Sequence, residues 1–557
     1  MYLERRWPSD RPVIDPPPPP SHVLAPVEGR VLDPSTSLVV GDVRPRPTVY
    51  ASSNLLVGGG RDPEEVVRLL RPIAKKFGWD VAVDTRYREQ ARKVRVATAD
   101  DDAPARYLGV SRITLTVLEN VASVAPDAWA LLQEARATCT PDEMRAVGLD
   151  HLLFASTWLT PMSFTHSHIE PLSFTHSHVE PLSFTHSHET GDEFGPAISS
   201  YAIPGSGGRQ PIAFAGPPPH RRRENGKRRP VVAILDTGCG AHPWLDRAVK
   251  RHVKLDEKTI GYANPETDPE KYPDQTGPLD GSIDPLAGHG TFIAGLVHQA
   301  CPDADIVSWR AVPSKGPIVE TDWIKTLSQV VELVQRHAVD NDSGLAIDVL
   351  SLSLGYYHET PDDLKTDSMF RELLDVLATC GTIVVCSAGN DATARKSYPA
   401  AFAPRVKRGK VTAPRDRAPI ISVGALNPDG SVALFSNTGP WVRAYELGAA
   451  VVSTMPPFQG GMEPLARTNA FGLPRASIDP DDFSRPDPRR RNKRVGGFAL
   501  WSGTSFAAPT MAGRIAEAML PDMPNKGDDE KPEEAVARAW KALNSKALAK
   551  TVGITPS

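Results

Sequence analysis

The sequence predicts an α/β protein: a parallel sheet flanked by helices in the second half of the chain, preceded by a small α+β unit. Three observations carry this expectation. After Pro230, short apolar runs such as Val231-Val232-Ala233-Ile234-Leu235 alternate with helical stretches, as buried parallel strands and their crossover helices do. Before about residue 155, strand-like and helix-like segments mix more evenly. Between the two lies a stretch with neither pattern, marked by proline and repeated histidines. At 557 residues the chain exceeds what one core sustains, so two or three units are expected.

Residues 1–45 are rich in proline, including Pro16 to Pro20, and are expected to lack fixed order. The 54 prolines are roughly twice the usual ~5% share and cluster at linkers and insertions. Residues 46–155 read as a compact α+β module of the ferredoxin-like kind. A strand opens at Thr48, and Asp62-Pro63-Glu64-Glu65 starts a helix with Asp at the cap and Pro in the first turn. Val66, Val67, Leu69, Leu70, Ile73 and Phe77 continue it at near-helical spacing. Short strands fit Trp79 to Val83, Val94 to Ala97 and Ile113 to Val117, and a second helix fits Pro126 to Ala137.

Residues 156–229 form a linker in this reading. Within it, Ser-Phe-Thr-His-Ser-His occurs three times between Pro161 and Glu189, too short a period for a solenoid. The paired histidines (His166/His168, His176/His178, His186/His188) project to one face of an extended chain. Duplicated spacer, zinc or nickel ligands, and a pH-sensitive pro-segment all remain open for them. The linker ends in Arg221-Arg222-Arg223 and Lys227-Arg228-Arg229, expected to be solvated, with a cleavage site or an electrostatic contact as alternatives.

Bulk properties exclude several classes. Hydrophobic residues are 40% and charged residues 23%, ordinary for a globular chain, and a net charge of -4 gives no reason to expect nucleic acid or an anionic membrane. No apolar run approaches a membrane span, and the N-terminus has no apolar region of secretory type, so a cytoplasmic location is expected, with export by a non-standard route as the alternative. Five cysteines without repeated spacing do not form a disulfide scaffold.

The chemistry lies after residue 230. The first strand run ends on Asp236-Thr237-Gly238, where α/β folds place catalytic groups. Asp-Thr-Gly also marks aspartic proteases, but those need a second copy, and none is present. Gly288-His289-Gly290-Thr291 sets a histidine between small residues at the head of an apolar helix. Gly503-Thr504-Ser505-Phe506-Ala507-Ala508-Pro509 sets a serine at the start of another, where amide groups and the helix dipole favour developing negative charge. Between them, Ser387-Ala388-Gly389-Asn390 brings a side-chain amide to a strand end, and Ser353-Leu354-Gly355 ends a further strand.

Together these segments resemble the subtilisin-like (subtilase) serine peptidases over roughly residues 230–520, in the order Asp…His…Ser that separates that family from other triad enzymes. The resemblance implies a serine endopeptidase acting on protein or peptide substrates. It implies Ser505 as nucleophile, His289 as general base and then acid, Asp236 as its orienting partner and Asn390 as oxyanion donor. Ser353, Leu354, Gly355, Ser387, Ala388 and Gly389 would border the substrate. No cofactor is required; structural calcium is common in the family, and the carboxylates between Asp246 and Asp284 are candidates without diagnostic spacing. The resemblance also implies that residues 46–155 are a propeptide, an intramolecular inhibitor of a zymogen, with an unrelated recognition domain as rival. Residues 455–495 are an insertion rich in Pro, Asp and Arg, and 521–557 a C-terminal tail or helix. The alternative from another class is a catalytically silent binding module on the same fold.

Overall fold

The computed structural model describes residues 13–16, 18–40, 44–58, 60–87, 92–94, 106–155, 201, 208–212, 215–222, 226–276, 283–341, 343–360, 368–407, 410–456, 458 and 497–557. The histidine repeats and residues 457 and 459–495 of the insertion lie outside this set.

The N-terminal unit runs β1 (Gly29–Leu32), β2 (Thr48–Gly58), α1 (Pro63–Lys76), β3 (Trp79–Val83), β4 (Val110–Val117), α2 (Ala128–Thr138) and β5 (Val147–Ala155). Its sheet order is β5-β2-β4-β3 with antiparallel neighbours, and β1 adds to β2. From β2 onward this is the βαββαβ pattern expected. Asp62 accepts from the Glu64 amide to cap α1, and Asp127 caps α2 in the same way. Val66, Leu70 and Ile73 of α1 and Leu131 and Leu132 of α2 close a core with Trp79, Ile113 and Leu149 of the sheet.

The second half holds seven parallel strands. In chain order they are β6 (Val231–Asp236), β7 (Val249–Lys250), β8 (Asp305–Arg310), β10 (Val349–Leu352), β12 (Ile383–Ser387), β13 (Ile421–Leu426) and β14 (Ala444–Leu447). They align as β7-β8-β6-β10-β12-β13-β14. Side chains alternate across the sheet. Val232 and Ile234 enter one core with α3 (His289–Ala300) and α6 (Thr504–Met519). Ala233 and Leu235 enter the other with α4 (Glu320–Val339) and α5 (Ser368–Thr379). Burial on both faces explains why these strands read as continuous apolar runs. Because β8 and β10 lie on opposite sides of β6, the strand order reverses there, and the crevice at its carboxyl end is where this architecture binds ligands. Among the described residues, no helix is long and apolar enough to cross a membrane.

The two halves are joined by backbone pairing. The end of β5 lies antiparallel to β9 (Ile318–Val319) through Leu152 and Leu153, and to β11 (Leu354–Gly355) through Phe154 and Ala155.

Two expectations need correction. Residues 13–40 are not featureless. Besides β1, Asp15 bridges Arg46 at 2.5 Å and Arg395 at 3.2 Å, and Thr393 donates to the Ile14 carbonyl. The prolines pre-set an extended chain, so little entropy is lost in fixing it there. The basic run before Pro230 is likewise docked: Arg221 meets Asp305, Arg222 meets Asp303, and Arg229 meets Asp303 at 2.9 Å. Arg228 makes a bidentate pair with buried Asp348 at 2.7 and 2.9 Å. Although burial opposes it, Arg228 and Arg538 hold that carboxyl well below the usual range. The electrostatic contact, not the solvated segment, is what forms. At the far end, α7 (Pro532–Leu543) buries Val536, Ala539 and Trp540 in the core shared by α3 and α6.

Candidate active site

The four predicted catalytic residues gather at the carboxyl edge of the parallel sheet, each delivered by a different element. Asp236 is the last residue of β6, buried beneath the edge. Its Oδ1 accepts from its neighbour's amide, Thr237 N–H, at 2.7 Å and lies 2.6 Å from His289 Nδ1. That contact selects the tautomer with Nδ1 protonated, leaving Nε2 as the basic atom. His289 opens α3 and is enclosed by Trp501 and Phe506, with ring centroids 5.6 and 5.4 Å away. Gly290 permits the approach of α3 to β6, since a Cβ there would lie 2.0 Å from the Gly238 carbonyl oxygen.

Ser505 lies in the first turn of α6. Its Oγ donates to the Ser353 carbonyl at 3.3 Å, while Ser353 Oγ donates back to the Ser505 carbonyl at 3.0 Å. His289 Nε2 is buried without a hydrogen-bond partner, so histidine and serine, on helices packed together through Phe506, are not bonded to each other. Such contacts commonly tighten only with substrate in place.

Asn390 follows β12. Its Oδ1 accepts from the Thr504 amide at 2.9 Å and the Thr504 hydroxyl at 2.8 Å. With the oxygen so engaged, the amide nitrogen turns the other way, and Nδ2 is buried and unpartnered. A buried donor left open costs about 1–3 kcal/mol, which marks a position awaiting an acceptor. Ser387 ends β12, Gly389 N–H donates to Thr504 Oγ1 at 3.2 Å, and Ala388 offers its carbonyl to Asn437 Nδ2 at 2.9 Å. Leu354 and Gly355 face β5 rather than open solvent. Gly355, Gly389 and Asn390 also line a cavity of about 420 Å³, together with Leu152, Phe154 and Pro16 of the N-terminal half.

Several residues escaped the sequence reasoning. Asn437 braces the turn after β12, accepting from the Asp391 and Thr393 amides at 3.0 and 3.2 Å. Tyr357 donates to Asp391 at 2.5 Å. Glu270 lies buried behind Asp236 and His289. Its only sequence signal was membership of the acidic segment flagged for calcium. Three carboxylates of that segment are engaged within the protein. Asp256 pairs with Arg336, Asp284 accepts from Gln275 and Thr276 amides, and Glu270 bonds to the hydroxyls of Thr237 and Thr291. Among the described residues, these three share no common site of the kind calcium needs.

Comparison with known proteins follows this geometry. A family model described as the subtilase family matches residues 227–551. The intracellular serine protease of Paenibacillus polymyxa is 24% identical over 303 residues, covering 51% of this chain and 65% of that protein. Mycosin-4 of Mycobacterium tuberculosis is 27% identical over 301 residues, covering 51% of this chain and 54% of that protein. The chain therefore spans less than two thirds of either relative. Among solved structures, fervidolysin from Fervidobacterium pennivorans aligns with a TM-score of 0.39 and 16% identity, covering 85% of this chain and 55% of that one.

Proposed function

The chain belongs to the subtilase family, and from that premise we propose that it is a serine endopeptidase working by acyl transfer. Ser505 Oγ attacks the scissile carbonyl while its proton passes to His289 Nε2; the C–O bond forms as the carbonyl π bond opens onto oxygen. Collapse breaks the C–N bond, and His289 returns the proton to the leaving amine. Water then repeats the sequence to free the carboxylate and regenerate Ser505. Asp236 stabilises the imidazolium throughout, and Asn390 Nδ2 with the Ser505 amide holds the oxyanion. The observation that carries this reading is the Asp236–His289 contact of 2.6 Å at the sheet edge beside an Asn390 donor with no partner.

The substrate class follows from backbone geometry. A peptide can add a strand between β9 and β11, the positions that β5 now takes through Leu152 to Ala155. That occupancy supports a second element of the proposal: the N-terminal unit is an intramolecular inhibitor, and the chain is a zymogen. The test is labelling with a serine-directed phosphonate, comparing wild type with Ser505→Ala while following chain length. Labelling that needs Ser505, and that rises as the N-terminal half is released, is expected. Labelling at full length without any release would remove the inhibitor role. A folded wild type that never labels would identify a silent binding module instead.

A further inference from the structure

Behind the pair formed by Asp236 and His289 lies a second buried carboxyl that the mechanism above leaves idle. Glu270 is 4% exposed. Thr237 Oγ1 lies 2.5 Å from its Oε1, Gly290 N–H points to the same oxygen at 3.2 Å, and Thr291 Oγ1 donates to its Oε2. Thr237 Oγ1 also sits 3.2 Å from Asp236 Oδ1 and accepts from Gly290 N–H at 2.8 Å. One hydroxyl thus stands between two carboxyl groups.

A hydroxyl has one proton and two lone pairs. Gly290 N–H takes one lone pair. If Glu270 is ionised, the Thr237 proton turns to its nearer oxygen, and Asp236 loses a donor. If Glu270 is the neutral acid, it donates to the second lone pair and the Thr237 proton is free for Asp236. Only the neutral state frees the Thr237 proton for Asp236 Oδ1, and it avoids placing two negative charges across one hydroxyl. We propose that Glu270 is a positioning residue which, as the neutral acid, donates to Thr237 and so directs the Thr237 hydroxyl onto Asp236, setting the hydrogen bonding of the carboxylate that orients His289. This rests on the peptidase reading of the site.

The surroundings favour the neutral form. Burial, with the charges of Asp268 and Asp236, outweighs the threonine hydroxyls and pushes Glu270 up to about 8. Facing it from other elements are Cys239 with nearby Arg251, whose Nε donates to the Cys239 carbonyl, and Arg310 of β8. Arg310 directs its guanidinium to the Asn264 carbonyl at 2.6 Å and to Thr267, away from the carboxyl. The relay is therefore complete below about pH 8 and breaks above it, as Glu270 ionises and reclaims the Thr237 proton.

The experiment follows the downfield His289 Nδ1 proton by NMR against pH in the full-length Ser505→Ala chain, which cannot cleave itself. A resonance that disappears in His289→Ala reports the Asp236–His289 bond. It should move in a step above about pH 8. Glu270→Gln, a permanent neutral donor, should keep the resonance at pH 6.5 and abolish the movement. Thr237→Val should shift it at every pH, and Thr237→Ser should restore the parent profile. Near-ultraviolet circular dichroism identifies any variant that has not folded, and the Thr237 pair then decides alone. Movement unchanged in Glu270→Gln, or a resonance already lost there at pH 6.5, overturns the proposal while leaving the triad intact. A parent with no His289-dependent resonance overturns the peptidase reading itself.

Discussion

Asn390 uses its carbonyl oxygen on two groups of Thr504 and leaves its amide nitrogen buried and open, which is how a side chain is pre-aimed at charge that appears only during reaction. The fixed orientation is the physical content of preorganisation, because no reorientation is then required at the barrier. Asn390→Ala should lower kcat by about 10²–10³-fold with little change in KM, the range seen when subtilisin's own side-chain donor is removed. Steady-state kinetics on a peptide substrate checks this, and a loss confined to KM would contradict the oxyanion role. At this scale the four site residues were legible in sequence, because each sits in a short motif with small neighbours. Glu270 was not. Its contacts, Thr237 and Thr291, belong to the motifs, but Glu270 is more than thirty positions from the first and reaches them only through the fold.

Elements hold those residues by close backbone approach. The helices bearing His289 and Ser505 cross where Gly513 of α6 meets α3, and a Cβ there would lie 2.5 Å from Ala300 Cβ and 3.0 Å from the Val297 carbonyl. The obstacle includes backbone, so neither helix can yield cheaply. Gly513→Ala should destabilise the chain by about 1–3 kcal/mol. It should also slow turnover, because separating α3 from α6 moves histidine from serine. Denaturant melts together with kcat test this; a stability loss with unchanged kcat would show that strain there does not reach the site. The βαββαβ unit was legible from Asp62-Pro63 and the apolar spacing of α1. The attachment of β5 to β9 and β11 was not, since strands of two residues leave no periodic signal.

Across the whole molecule, the two halves are clamped by charge buried at their interface. His151 of β5 lies between Glu320, 2.7 Å from Nδ1, and Glu359, 2.8 Å from Nε2. Burial opposes protonation, but the two glutamates outweigh it and hold His151 well above the ordinary histidine value. Such a group stabilises docking fully below its free value of about 6.5 and loses that contribution as pH rises through its raised value. Asp150, pushed by burial up to about 7, acts with the same sign. Glu359 acts oppositely: burial is outweighed by His358 and His151, and its depressed value removes stability only as pH falls through the acid range. Docking should therefore be strongest in mild acid and loosen toward alkaline pH. Amide-exchange protection of Leu152 to Ala155, corrected for intrinsic rate, should fall as pH rises from 6 to 9 in full-length Ser505→Ala. His151→Ala leaves two glutamates buried without their cation, at a cost of about 3–5 kcal/mol, and should abolish that protection at every pH. Protection that instead rises with pH would refute the clamp.

The sequence alone determined the parallel-sheet half and the residues proposed to react. Buried strands require contiguous apolar runs, and a strand end or helix start needs particular small residues beside a catalytic group; both are local demands, written in neighbouring positions. Tertiary structure alone decided what surrounds those residues. Glu270 behind Asp236 and His289, the basic run folded onto Asp303, Asp305 and Asp348, Asp15 held between two arginines, and β5 paired with β9 and β11 all join residues distant in sequence. Ion pairs and two-residue strand pairings impose no period on the chain, so only the folded arrangement reveals them.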